Sequence, residues 1–200
     1  MSKKITDIQN VAVFCASSDG NDEFIFESAY EVGKRMAEDG LRLIYGGSRL
    51  GLMGQVAKGT IDHGGKVTGV IPDFLKTKEV VHTGLDKLIT TRDMHERKLT
   101  MHELSDAFIS LPGGFGTFEE LFEIVTWAQL GLHRKPIGLL NINGFYDDLI
   151  QMLNKMIEKG LLKQDNLEIL LISDNYDDLL NKMRNFESKP VPKWMNKNQT

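Results

Sequence analysis

Cysteine is nearly absent from this 200-residue chain: Cys15 stands alone, so no disulfide framework and no cysteine-based zinc site can be built. No apolar run approaches the roughly 20 residues that cross a bilayer, which excludes a spanning helix as the organising element. Positive charge is not in excess either. Lys and Arg number 24 against 28 Asp and Glu, a formal net charge of -4, which argues against a general nucleic-acid or anionic-membrane binder. The first ten residues are polar and lack the apolar centre of a secretory leader, so the cytoplasm is the expected compartment. Two nucleotide signatures are missing as well. No G-x-x-x-x-G-K-[ST] and no G-x-G-x-x-G occurs, which disfavours ATP hydrolysis and dinucleotide redox chemistry. None of His63, His82, His95, His102 and His133 forms an H-E-x-x-H pair, so no metal is expected, and no cofactor.

What is present fits one globular enzyme domain: 41% of residues are hydrophobic and 26% charged, enough for a full core without staples. Short apolar runs at 11–15, 41–45, 66–71, 107–111, 137–141 and 170–172 read as strands. Between them lie helix-period segments at 23–39, 52–63, 95–105, 118–130, 146–159 and 176–185, the first two stopped by Gly40 and Gly64-Gly65. Strands alternating with helices predict an α/β fold, a single Rossmann-like domain over 1–186 whose parallel sheet carries helices on both faces. The segment 187–200 is expected at the surface or partly disordered.

The richest stretch is Leu111-Pro112-Gly113-Gly114-Phe115-Gly116-Thr117-Phe118-Glu119-Glu120, an apolar strand running through a glycine turn into an amphipathic helix. Glycines let an anion approach the backbone, and the free N–H groups of a helix's first turn point at it with the positive end of the dipole behind them. The pattern predicts a phosphate nest at Gly113, Gly114, Gly116 and Thr117, with the Glu120 carboxylate one turn further on. A local alternative exists. Thr117-Phe118-Glu119-Glu120 also fits a T-x-x-E capping box, in which Glu120 would bond back to the Thr117 N–H.

The run PGGFGTFEE matches the PGGxGTxxE signature of the LONELY GUY family, cytokinin riboside 5'-monophosphate phosphoribohydrolases often labelled lysine decarboxylases. Val13-Phe14-Cys15-Ala16-Ser17-Ser18 resembles that family's first strand and loop. Tyr45-Gly46-Gly47-Ser48-Arg49-Leu50-Gly51-Leu52-Met53-Gly54 resembles its second glycine loop, and Met94-His95-Glu96-Arg97-Lys98 its arginine-bearing segment. The resemblance runs from about Val11 to Phe186. It implies hydrolysis of the N-glycosidic bond of adenine-type nucleoside 5'-monophosphates to base and ribose 5-phosphate, with Arg97 and Glu120 catalytic. Ser17, Gly46, Gly47, Met94, Lys98, Pro112, Gly113, Gly114, Gly116 and Thr117 would bind substrate, in a homodimer with sites shared across the interface. Arginine keeps its proton, so Arg97 would act electrostatically. Ser48 stands where a third glycine is common, and Ala16 replaces a frequent glycine. Met53 suits either a base pocket or the core, and Cys15 reads as a strand-end core residue. Two rivals remain: a molybdenum-cofactor carrier on the same scaffold, and a pyridoxal phosphate decarboxylase, for which no Schiff-base lysine context is recognisable.

Overall fold

The computed structural model describes residues 8–76 and 81–188; most of the 187–200 tail, from residue 189 onward, lies outside them. Seven parallel strands form one sheet: β1 (Asn10–Phe14), β2 (Arg42–Tyr45), β3 (Lys66–Pro72), β4 (Lys87–Thr91), β5 (Ala107–Ser110), β6 (Ile137–Leu140) and β7 (Leu170–Ser173). The helices are α1 (Glu23–Glu38), α2 (Gly51–Asp62), α3 (Met94–Leu104), α4 (Phe115–Gln129), α5 (Asp147–Glu158), the short α6 (Gln164–Leu167) and α7 (Tyr176–Arg184). The six predicted strands are all present. The seventh, β4, is an edge strand whose Lys-Leu-Ile-Thr-Thr sequence faces solvent at most positions, so it lacks the apolar run that marks the others. Gly40 and Gly64 do end their helices, each in the left-handed conformation.

Alternation along the strands splits the core into two layers. Val11, Val13 and Cys15 of the β1 segment point with Val32, Met36, Val56 and Leu179 toward α1, α2 and α7. Ala12 and Phe14 point the other way, with Met101, Leu121, Ile124 and Leu153 of α3, α4 and α5. Both faces are therefore covered, as an all-parallel sheet requires.

The strand order is β4-β3-β2-β1-β5-β6-β7. The chain winds outward from β1 through β2 and β3 to β4, then returns to place β5 on the other side of β1. The crossovers diverge at the β1–β5 boundary, and the carboxyl ends of those two strands open a crevice there. Register is fixed by Val11 to Phe14 pairing with Ala107 to Ser110, which brings the loop after Phe14 beside the loop after Ser110.

Candidate active site

A cavity of about 270 Å³ occupies that crevice. Residues from Val13 to Ser18 form one wall, the start of α4 another, and Gly46, Met53, Arg97 and Glu120 the rest. Of the residues expected to form a site, Ser17, Gly46, Arg97, Gly114, Gly116, Thr117 and Glu120 come together here. They derive from four separate stretches of the chain.

The phosphate-nest wall is built by the turn into α4. The helix begins at Phe115 with Gly114 as its N-cap, three residues earlier than the apolar period suggested. This overturns the capping box: Thr117 is the third helical residue, and Glu120 is too deep in the helix to reach a cap. The first intrahelical bond runs from the Phe118 N–H to the Gly114 carbonyl at 3.1 Å, so the N–H groups before it have no helical acceptor. At Gly113 a Cβ would stand 2.1 Å from the Thr117 hydroxyl oxygen, so glycine is needed for that side chain to tuck under the turn. Gly114 and Gly116 differ. Neither has positive φ, and a Cβ on either would meet nothing within 4 Å. Folding does not require glycine at these two places; bare backbone there leaves room for something outside the chain.

At the floor sits an ion pair, Arg97 Nη1 to Glu120 Oε1 at 3.3 Å, with the side chains only 8% and 12% exposed. Arg97 is locked from every side. Its Nε donates to the Val70 carbonyl at 3.2 Å, Nη1 lies 4.0 Å from the Met94 sulfur, and Nη2 would be 2.3 Å from a Cβ on Gly46. Gly46 is thus glycine because the guanidinium packs against its backbone. Burial pushes the Glu120 carboxyl up to about 7, opposed by the positive charge of Arg97. Near neutral pH Glu120 is therefore divided between its acid and carboxylate forms, beside a fixed cation.

Other expected residues lie just outside the lining. Gly47 has φ +82 and turns its backbone against Ile71, and Met94 backs Arg97. Pro112 accepts the Ala16 N–H at 3.2 Å, which sets the β1 loop. The Lys98 Nζ bridges Glu119 at 2.5 Å and Glu123 at 2.9 Å, tying α3 to α4, and the side chain is not among those lining the cavity. Arg92 pairs with Glu96 and is 86% exposed, outside the cluster. The Ser48 hydroxyl is buried and accepts the Leu50 N–H, serving its own turn.

Among the lining residues that the expected site did not include are Cys15, Ser18 and Phe115. Cys15 reaches the floor although it also belongs to the core; burial first and Glu120 second hold its thiol far above the usual range, so it stays protonated. Ser18 extends the polar wall of Ser17. Phe115 borders the cavity yet is 96% exposed, a position no periodicity flags. Met53 does both jobs weighed for it, packing in the core and lining the cavity. Among the described residues, no cluster of three or more His, Cys, Asp or Glu could hold a metal ion, and no helix is long and apolar enough to cross a membrane.

Comparison with known proteins agrees with this architecture. Solved structures with the same fold include the molybdenum cofactor binding protein of Rippkaea orientalis, with TM-score 0.64 and 20% identity over 86% of this chain and 93% of that one. The Moco carrier protein of Chlamydomonas reinhardtii gives TM-score 0.62 and 22% identity over 87% and 98%. Identity at that level speaks to fold alone. Sequence relatives are much nearer. The probable cytokinin riboside 5'-monophosphate phosphoribohydrolase LOG4 of Oryza sativa subsp. japonica is 45% identical over 88% of this chain and 76% of its own length. The cytokinin riboside 5'-monophosphate phosphoribohydrolase LOG2 of Arabidopsis thaliana is 39% identical over 90% and 85%. A family model described as "Possible lysine decarboxylase" matches residues 53–183, which takes in Arg97, the glycine turn and Glu120. On identity of this extent, shared with proteins that carry the phosphoribohydrolase name, the chain belongs to the LONELY GUY family.

Proposed function

We propose that this protein hydrolyses the N-glycosidic bond of adenine-type nucleoside 5'-monophosphates, cytokinin riboside monophosphates and AMP, releasing the free base and ribose 5-phosphate. The observation that carries this reading is the buried Arg97–Glu120 pair at the floor of a cavity whose wall is an open helix start. The 5'-phosphate binds the backbone N–H groups at Gly114 to Thr117. That anchorage holds the ribose over Glu120. As the bond from C1' to the base nitrogen breaks, positive charge develops on the ring, and the Glu120 carboxylate stabilises it and orients water. The water oxygen bonds to C1', the electrons of the broken bond leave with the base, and the base takes up a proton. Arg97, with Val70 and Gly46 fixing its plane, holds Glu120 in the charged form that burial disfavours. Its role is thereby drawn toward Glu120 and away from gripping phosphate.

Incubation with AMP and isopentenyladenosine monophosphate, with chromatography for released base and ribose 5-phosphate, tests the reading. Binding of either nucleotide without turnover would leave only a carrier. Comparing kcat/KM for AMP, isopentenyladenosine monophosphate, GMP and CMP then ranks the bases.

The assembly belongs to the same proposal. Phe115 and Phe122 lie seven residues apart on one side of α4 and are both exposed, at 96% and 39%. An apolar helix face beside the cavity mouth fits the same face of a second copy in an isologous dimer. Light scattering at micromolar protein should give about twice the 22.6 kDa chain mass, and Phe122→Glu should shift it toward the monomer. A monomeric wild type would refute the dimer.

A further inference from the structure

We propose that Tyr146 is a positioning residue for the phosphate nest, clamping the glycine turn at both its ends; this rests on the phosphate reading of that turn. The backbone polar groups of Leu111 and Pro112, where the turn leaves β5, are all engaged, but by different means. The Leu111 N–H donates to the Phe14 carbonyl at 2.9 Å, and the Pro112 carbonyl accepts the Ala16 N–H at 3.2 Å. Both bonds come from the β1 side. The remaining group, the Leu111 carbonyl, has passed the end of the β5–β6 ladder, whose last pair is Ser110 with Leu139. It accepts instead the Tyr146 hydroxyl, at 2.6 Å. On the far side of the turn, the same ring packs edge-on against Phe118 of α4, with centroids 5.8 Å apart.

Tyr146 is itself held without freedom. Its ring is fully buried. Its backbone N–H donates to Asn141 Oδ1 at 2.7 Å, and the Asn141 amide donates to Asp147 at 2.7 Å, so the β6 loop is braced against the start of α5. Burial raises the phenol far above its ordinary range, which keeps the hydroxyl a donor throughout the working pH. Residues 112–117 therefore hang between two contacts of a single rigid side chain. Preorganised donors cost no reorganisation when the anion arrives, and a small tilt of this turn would misaim several N–H groups at once.

Tyr146→Phe removes one atom and keeps the ring contact with Phe118. Tyr45→Phe is the control, because the Tyr45 hydroxyl is equally buried but makes no hydrogen bond among the described residues. Calorimetric titration with ribose 5-phosphate should show Tyr146→Phe binding about tenfold more weakly, with KM for AMP rising in parallel and kcat changing less. Adenosine, which lacks the phosphate, should bind both proteins alike, and Tyr45→Phe should match wild type. Unchanged ribose 5-phosphate affinity in Tyr146→Phe overturns the proposal, whatever the change in Tm. If Tyr146→Phe does not fold, Asn141→Ala, which frees the Tyr146 backbone while keeping its hydroxyl, should weaken ribose 5-phosphate several-fold, and no weakening overturns it. Wild-type protein that binds ribose 5-phosphate yet leaves AMP intact defeats the hydrolase reading alone; one that binds neither defeats both.

Discussion

Glu120→Gln is expected to lower kcat for AMP by at least about two orders of magnitude while AMP affinity stays within a few-fold of wild type. The substitution keeps volume and an oxygen that accepts from Arg97, but deletes the negative charge on which the proposed chemistry depends. No helix cap is lost, because α4 starts at Phe115; any loss of stability comes from leaving the buried Arg97 guanidinium without its counter-charge, so Tm is measured beside kcat. The pH profile supplies a second signature. Burial raises the Glu120 carboxyl from its ordinary value of 4.5 to about 7, and the active form is the carboxylate. Activity is then half-maximal near 7, full about a unit above it and falling about tenfold per unit below it, whereas an unperturbed glutamate would keep it nearly full until pH approached 4.5. The residual rate of Glu120→Gln should be flat across that window. Full activity in Glu120→Gln, or a wild-type profile level from pH 8 to 5, would remove Glu120 from the reaction.

The parts of this molecule legible in its sequence are those dictated by local pattern. Buried strands announce themselves as short runs rich in apolar residues, and Gly40 and Gly64 as stops, because both signals depend on neighbours in the chain. β4 is hidden since an edge strand needs no apolar run, and its Lys87 and Thr90 resemble a loop. The start of α4 is misread for a related reason: proline and glycines at 112–116 look like a turn until tertiary contacts impose helical angles from Phe115 onward. That same misreading created the capping box. Chemistry from residues distant in the chain was visible only as separate candidates. Nothing local says that Arg97 of α3 will meet Glu120 of α4, that Gly46 is bare to admit the guanidinium, or that Lys98, next to Arg97, will turn to Glu119 and Glu123. Adjacent residues on a helix point about 100° apart, so neighbours in a motif need not share a task.

Adenosine should be a poorer substrate than AMP by at least about a hundredfold in kcat/KM, because the proposed anchor is a phosphate far from the bond that breaks. Gly114 and Gly116 give the physical ground. A glycine is expected where φ is positive or where another atom crowds the Cβ position, and neither holds for these two: their φ values are ordinary and the space beside them is open. In an evolved fold such bare backbone reads as an approach path to unpaired N–H groups at the positive end of α4. Binding energy released there is spent on holding C1' at Glu120, so a substrate without the phosphate loses kcat as well as affinity. Gly114→Val offers the matching perturbation from the protein side. A Cβ there meets nothing within 4 Å inside the protein, so the fold should survive while AMP turnover drops toward the adenosine level. Comparable rates on AMP and adenosine, or an undiminished Gly114→Val, would show that the open helix start is not where the substrate is held.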